Sequence, residues 1–219
     1  MKGHRERLRK RFVASPSAVP DYELLELILF RTIPMRDVKP LAKELIAQFG
    51  SFGAVIHGDE TRLLEIKGLG KSTIDDFAVL RETTARLGQA KVMKREVISS
   101  WGALLDYCSA TMAHNAIEQF RILFLDRQNV LIADEVQQTG TIDHTPVYPR
   151  EVVKRALALN ASSIILVHNH PSGDPTPSRD DIAMTQEIIA TAKPLGIAVH
   201  DHLVIGKGKH ASFKSLGLI

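Results

Sequence analysis

The run at residues 162–170, SSIILVHNH, followed at once by Pro171, constrains this chain more than any other stretch. It reads as a continuous apolar strand. Side chains at i and i+2 of a strand share a face, so His168 and His170 point the same way. Pro171 cannot donate to a sheet ladder and ends the strand. PSGDPTP then makes a stiff loop, and Ser178 falls where a helix N-cap belongs. Asp181, three residues on, falls in the first helical turn. A rigid loop thus brings a carboxylate back towards two imidazoles.

Two neutral imidazoles and one carboxylate make a sound open zinc site. The fourth position is left for water, whose pKa the metal lowers to roughly 7. The competing reading is a polar loop with a capped helix, since Ser178-Arg179-Asp180-Asp181 is also a capping sequence. A second pair, His200 and His202 in AVHDHLVIG, has the same i, i+2 spacing but no loop that returns a carboxylate. It reads as structural, or as a support behind the ligands.

Charge divides the chain unevenly. Residues 1–95 hold 18 Lys/Arg against 12 Asp/Glu, a net of +6, and residues 96–219 hold 10 against 13, a net of −3. The basic half suits an acidic partner such as nucleic acid. It also fits a solvated basic tail followed by ordinary helix surfaces.

That half reads as helix. DYELLELILF sets Leu24, Leu25, Leu27, Ile28 and Leu29 on a broad apolar face behind a cap at Asp21. DVKPLAKELIAQFG carries Leu41, Leu45, Ile46 and Phe49 at helical spacing and stops at Gly50. TRLLEIKGLGKSTIDDFAVLRETTARLG holds two helical stretches broken by Gly68-Leu69-Gly70.

Character changes near residues 91–98. After the helical WGALLDYCSATMAH come the strand runs QFRILFLD and VLIADEVQ, separated by a hairpin signal at Arg127-Gln128-Asn129. PREVVKRALALN and SRDDIAMTQEIIATAKPLG read as helices and IAVHDHLVIG as a further strand. Strands interleaved with helices indicate an α/β or α+β layer structure.

No apolar run approaches the ~20 residues of a membrane span. The basic start MKGHRERLRKRF has no apolar segment behind it, which argues against a secretory signal. The single cysteine, Cys108, excludes an internal disulfide, suits a reducing cytosol and reads as a small buried hydrophobe. A cytoplasmic location is expected.

The spacing His168-x-His170, seven residues, Ser178, two residues, Asp181 matches the signature of the JAMM/MPN+ metalloproteases. The longer HNHPSGDPTPSRDD, with VYPREVVKRAL upstream and DHLVIG downstream, resembles the bacterial RadC family over nearly the whole chain. Between the histidines JAMM proteins usually carry Ser or Thr, where this chain has Asn169.

The resemblance implies an α+β fold: a mixed-sheet JAB/MPN (cytidine-deaminase-like) domain at 96–219, preceded by a small all-α helix-hairpin-helix domain at 1–95. It implies one zinc ion on His168, His170 and Asp181, and a peptide or protein substrate. Ser178 would steady the oxyanion of a tetrahedral intermediate, cap its helix, or do both. A JAMM site also needs an upstream glutamate that takes a proton from the attacking water and passes it to the leaving amine. Glu118 in AIEQFRILFLD occupies that place. Glu135 in IADEVQQ is the rival, otherwise an exposed strand acid.

LLEIKGLGKSTIDDF resembles the helix-hairpin-helix motif, in which glycines let backbone N–H groups approach a DNA phosphate. Lys67 and Lys71, beside Gly68 and Gly70, would add phosphate contacts without base specificity. A glycine pair that joins two packed helices reads the same way. Three functions stay open at this stage: a zinc hydrolase of peptide or isopeptide bonds, a DNA-processing or repair-associated binding protein with a structural zinc domain, and a metal-dependent nuclease. An intact ligand set with a candidate base favours the hydrolase.

Overall fold

A computed structural model describes residues 2–93, 96–97, 100–140 and 147–219; His144 and part of the polar segment near 91–98 lie outside them. Packing divides the chain into two units, Met1–Thr83 and Thr84–Ile219. The division falls inside a continuous helix, not in the polar segment. That helix places Phe77 in the core of the first unit and Val92 in a core of the second.

The first unit contains α1 (Lys2–Ala14), α2 (Asp21–Thr32), α3 (Lys39–Phe49), α4 (Phe52–Ile56), α5 (Glu60–Leu64) and α6 (Lys71–Val92) up to Thr83. Leu25, Leu29, Leu41, Leu45, Val55, Leu63 and Phe77 meet in its core. Helix α3 ends at Gly50, whose φ of +90° is open to glycine at no steric cost.

Two expectations need correction here. Asp21 is not a cap: Pro20 precedes the helix, and the Asp21 carboxylate accepts the Phe52 N–H at 3.2 Å. Nor is the basic start a solvated tail. Residues 2–14 are helical because Leu8 enters the core and the flanking cations find fixed acceptors. Arg5 donates to the carbonyls of Phe30, Ile33 and Arg36, and Arg11 pairs with Glu23.

The second unit is a three-layer α+β structure. After α7 (Trp101–Met112) come β1 (Glu118–Leu125) and β2 (Leu131–Gly140), then α8 (Pro149–Ala158), β3 (Ser163–Asn169), α9 (Arg179–Ala192), β4 (Ala198–Gly206) and β5 (Lys209–Ser212). The strands form one mixed sheet in the order β2-β1-β3-β4-β5, with β3 and β4 parallel and the other pairs antiparallel. The expected β1–β2 hairpin is present, turned by Asn129 at φ +58° and by Asp126, which accepts from the amides of Gln128 and Val130.

Alternation along the strands feeds two cores. Leu123, Leu125, Ile165, Val167, Leu203 and Ile205 meet α7 on one face. Phe120, Ile122, Phe124, Ile164 and Leu166 meet α8 and α9 on the other. No helix among the described residues is long and apolar enough to cross a membrane. Cys108 is fully buried, and burial, followed by the charge of Asp134, pushes its thiol up to about 12, so it is an inert hydrophobe.

The α7 face also holds a buried ion pair. Arg121 donates to Asp134 at 2.7 Å and to the Tyr107 hydroxyl at 3.1 Å, while Tyr107 donates to Asp134. The two charged side chains are 15% and 1% exposed. Removing one partner strands the other charge away from water. Asp134→Ala should therefore cost about 3–5 kcal/mol in denaturant unfolding, and Arg121→Met with Asp134→Leu should cost less than the single change. A single variant that melts like the parent would show the pair to be solvated.

Candidate metal centre

Strand β3 is buried along its whole length and delivers His168 to the α8/α9 face. Pro171 ends the pairing as expected: the last ladder contact is His170 N–H to the Ile205 carbonyl at 2.9 Å. The chain then turns through Gly173 at φ +90°. This loop lies so close to β4 that a Cβ at Gly206 would stand 2.3 Å from the Gly173 carbonyl oxygen. Asp174 stiffens it further, accepting from the Thr176 amide and hydroxyl.

The loop ends in a capping box. Ser178 accepts the Asp181 N–H at 3.1 Å, and Asp181 Oδ2 accepts the Ser178 N–H at 2.7 Å and its hydroxyl at 2.6 Å. The box and the metal reading, set against each other in the sequence, use the same residues together. With Oδ2 held by Ser178, Asp181 presents Oδ1 to His168 Nε2 at 3.4 Å; His170 Nε2 lies 3.6 Å from Oδ2.

The two Nε2 atoms stand 3.0 Å apart. His170 Nδ1 is 2.7 Å from the Asp174 carbonyl, which can only accept, so the ring proton is on Nδ1 and Nε2 of the neutral ring carries a lone pair. Two imidazole nitrogens aimed at each other at that distance need a proton or a cation between them. The edges of a tetrahedral zinc site with ligands at about 2.0–2.1 Å are about 3.3 Å. One ligand atom from each of His168, His170 and Asp181 lies within 4.8 Å of the others, so the three residues fit the ion.

The three groups are also coupled electrostatically. Burial alone would raise Asp181, but His168, His170 and Ser178 hold its carboxyl far below the usual range. The Asp181 carboxylate in turn raises His170 against its burial, helped by the Asp174 carbonyl and the charge of Glu118.

That last influence locates Glu118. Phe120 pairs with His168 in the β1–β3 ladder, so two residues back along the register Glu118 comes opposite His170 on the metal face. Glu118 is half-buried. Glu135 pairs with Ile122, about 13 Å further along the sheet at ~3.4 Å per residue. Its carboxylate accepts from Arg155 Nε at 2.8 Å and from Arg155 Nη2 at 2.5 Å, and Arg155 also holds its pKa down.

The second histidine pair separates. A bulge between Ile164 and Ile165 of the β3–β4 ladder sets Val199 and Asp201 opposite successive β3 residues and leaves His200 between them. His200 meets Asn129 at 2.6 Å, away from the ligands. His202 is fully buried behind His168, with Nε2 2.7 Å from His168 Nδ1 and Nδ1 2.6 Å from Thr185. Burial first, then His168, keeps its ring neutral.

Sequence reasoning missed Thr185, although it stands one turn after Asp181 on the same helix face. It missed the aromatic wall too: Phe120 stacks on His168 at 6.4 Å, and Phe213 lies 4.5 Å from the His202 ring. Asn169, the departure from the JAMM pattern, accepts from the Gln119 amide and donates to the Asn115 and Ile117 carbonyls. It thereby fixes both neighbours of Glu118.

In the first unit, Gly68 takes φ +98° in the turn between α5 and α6, and Gly70 caps α6 by accepting from Thr73 and Ile74. Lys67 is exposed; Lys71 pairs with Glu60 at 2.7 Å and Asp75 at 3.2 Å.

Residues 98–218 match the description RadC-like JAB domain. The chain is 57% identical over 220 residues to a UPF0758 protein of Ruegeria pomeroyi, covering 100% of this chain and 98% of the relative. It is 58% identical over 213 residues to a UPF0758 protein of Rhodobacter capsulatus, covering 97% and 100%. Domain match and full-length likeness agree: the chain belongs to the RadC family, and its second unit carries the RadC-like JAB domain.

Proposed function

We propose that this protein is a zinc-dependent hydrolase of peptide or isopeptide bonds, of the JAMM type. The observation that carries the reading is the pair of imidazole Nε2 atoms converging at 3.0 Å beside the Asp181 carboxylate, with Glu118 across the ladder. His168, His170 and Asp181 would hold the zinc. Bound there, the ion supplies Lewis acidity that lets water lose a proton near neutral pH.

The protein's own groups do the rest. Glu118 accepts the proton of the attacking water on its carboxylate and returns it to the nitrogen of the leaving amine. Asn169 keeps that carboxylate in place through the backbone on either side of it. Ser178 orients Asp181. An oxyanion role is a second duty for Ser178, and it needs the hydroxyl proton turned from Asp181 to the substrate.

A nuclease would use the same three ligands on a phosphodiester, so peptide, isopeptide and DNA substrates belong in one assay of the zinc-loaded protein. Cleavage of DNA alone decides for the nuclease.

Duplex DNA contact through the first unit is a second reading, supported by the cations around Gly68. The Arg36 guanidinium lies so close that a Cβ on Gly68 would be 2.4 Å from its Nη1. Against it, residues 1–83 hold 14 Lys/Arg and 12 Asp/Glu, a net of only +2, and Lys71 is engaged by acids.

Three outcomes follow. The purified protein should hold about one zinc per chain, and His168→Ala should empty the site, because two remaining ligands bind zinc poorly; undiminished zinc by elemental analysis would remove the assignment. Glu118→Gln should keep zinc and fold while losing about 10²–10⁴-fold in hydrolysis, whereas Glu135→Gln should be nearly silent. A reversal of those two rates sinks the base assignment. On the second reading, full-length protein binds duplex DNA weakly at low salt, and Lys67→Glu weakens it further. No binding in fluorescence anisotropy leaves the first unit to a protein partner.

A further inference from the structure

The first unit holds a cavity of about 260 Å³ lined by His4, Arg5, Phe30, Arg36, Asp37 and Lys39. Three of those side chains are cations and one, Asp37, is a carboxylate, a net of +2. Arg11, Arg31 and Lys71 of the same unit each meet a carboxylate. Among the described residues, no carboxylate pairs with Arg5, Arg36 or Lys39.

The wall is held in place from several elements. Arg5, on α1, lies over the Phe30 ring at 4.4 Å and donates to the carbonyls of Phe30, Ile33 and Arg36 at 3.3, 2.7 and 2.9 Å. It thereby ties down both sides of the turn in which Met35 takes φ +63°, a conformation uncommon for a non-glycine residue. That turn delivers Arg36, whose guanidinium rests on Gly68 of the α5–α6 turn. Lys39 begins α3, a helix with no acidic residue in its first turn. The positive end of the helix dipole therefore adds to the same sign.

The polar groups that remain are engaged. Asp37 Oδ1 accepts the Lys39 N–H at 3.0 Å, and His4 Nε2 faces the buried Glu26 carboxylate at 2.8 Å. Arg5 and Lys39 are half-buried. Like charges on a concave wall repel more strongly as water is excluded, and a bound anion offsets that repulsion.

Two net positive charges suit a dianion. A phosphate monoester carries about −1.5 to −2 at neutral pH on three acceptor oxygens, and the planar fork of Arg36 matches a pair of them. A carboxylate or a phosphodiester brings a single charge. We propose that this cavity binds a phosphate monoester, with Arg36 and Lys39 on its oxygens and Arg5 holding the wall. The proposal does not depend on the zinc reading, and it stands or falls separately from duplex contact at the Gly68 turn.

The test is calorimetric titration of inorganic phosphate into the full-length protein at low ionic strength. Wild type should bind about one phosphate per chain. Arg36→Met and Lys39→Met should each weaken binding about 10-fold or more, the usual worth of a hydrogen bond to a charged group. Arg36→Lys keeps the charge without the fork and should fall between. Lys10→Met removes an exposed cation of α1 that pairs with Glu6, and should bind as wild type does. Arg36 is exposed, so its series decides if Lys39→Met shifts the melting curve. No saturable binding, or equal binding by the variant carrying both changes, overturns the proposal. Competition then separates the sources. Displacement by a short duplex whose ends carry phosphate monoesters, and not by its dephosphorylated copy, assigns the ligand to a nucleic-acid end. Displacement by adenosine monophosphate and by neither duplex assigns it to a free ester. Equal displacement by both duplexes shows the site to read the diester backbone and overturns the monoester.

Discussion

Two imidazole nitrogens held face to face at 3.0 Å are unfavourable unless something positive sits between them, and the second unit is built to hold them so. His168 is fixed by a buried strand, by Phe120 stacked on its ring and by His202 behind it. His170 is fixed by the Asp174 carbonyl across a loop clamped against Gly206. Asp181 is fixed by a capping box that uses one of its oxygens and frees the other. A polar cluster half-closed to water is costly to assemble without a charge to coordinate. The three side chains are thus held together before any ion arrives, as the proposed zinc site requires.

The same rigidity extends to Glu118, the proposed base. Asn169 sits between His168 and His170 but points to the other face of the sheet, where its amide reaches the backbone around Glu118. One dipeptide step therefore joins His168 to the residue that fixes, through the other face, the strand carrying Glu118. Glu135 lacks that setting, and Arg155 already neutralises it.

The convergence of His168, His170 and Asp181 was legible in the sequence because the three are local: fourteen residues span strand end, loop and helix start, and each step has its own residue chemistry. The elements were legible for the same reason, from Gly50 ending its helix to Asn129 turning the hairpin. What failed was non-local. The basic start reads as solvated until the carbonyls of Phe30, Ile33 and Arg36 are seen to receive Arg5. The i, i+2 rule grouped His200 with His202 until a bulge separated them. The short strand β5 has no periodicity to announce it and exists through its pairing with β4.

The central claim is that His168, His170 and Asp181 together bind zinc. Zinc K-edge absorption on the purified protein reads the ligands directly. The account predicts a shell of four light atoms at about 2.0–2.1 Å, with the outer-shell scattering of two imidazole rings and no sulfur. A sulfur shell, a single imidazole or a six-oxygen shell would contradict it.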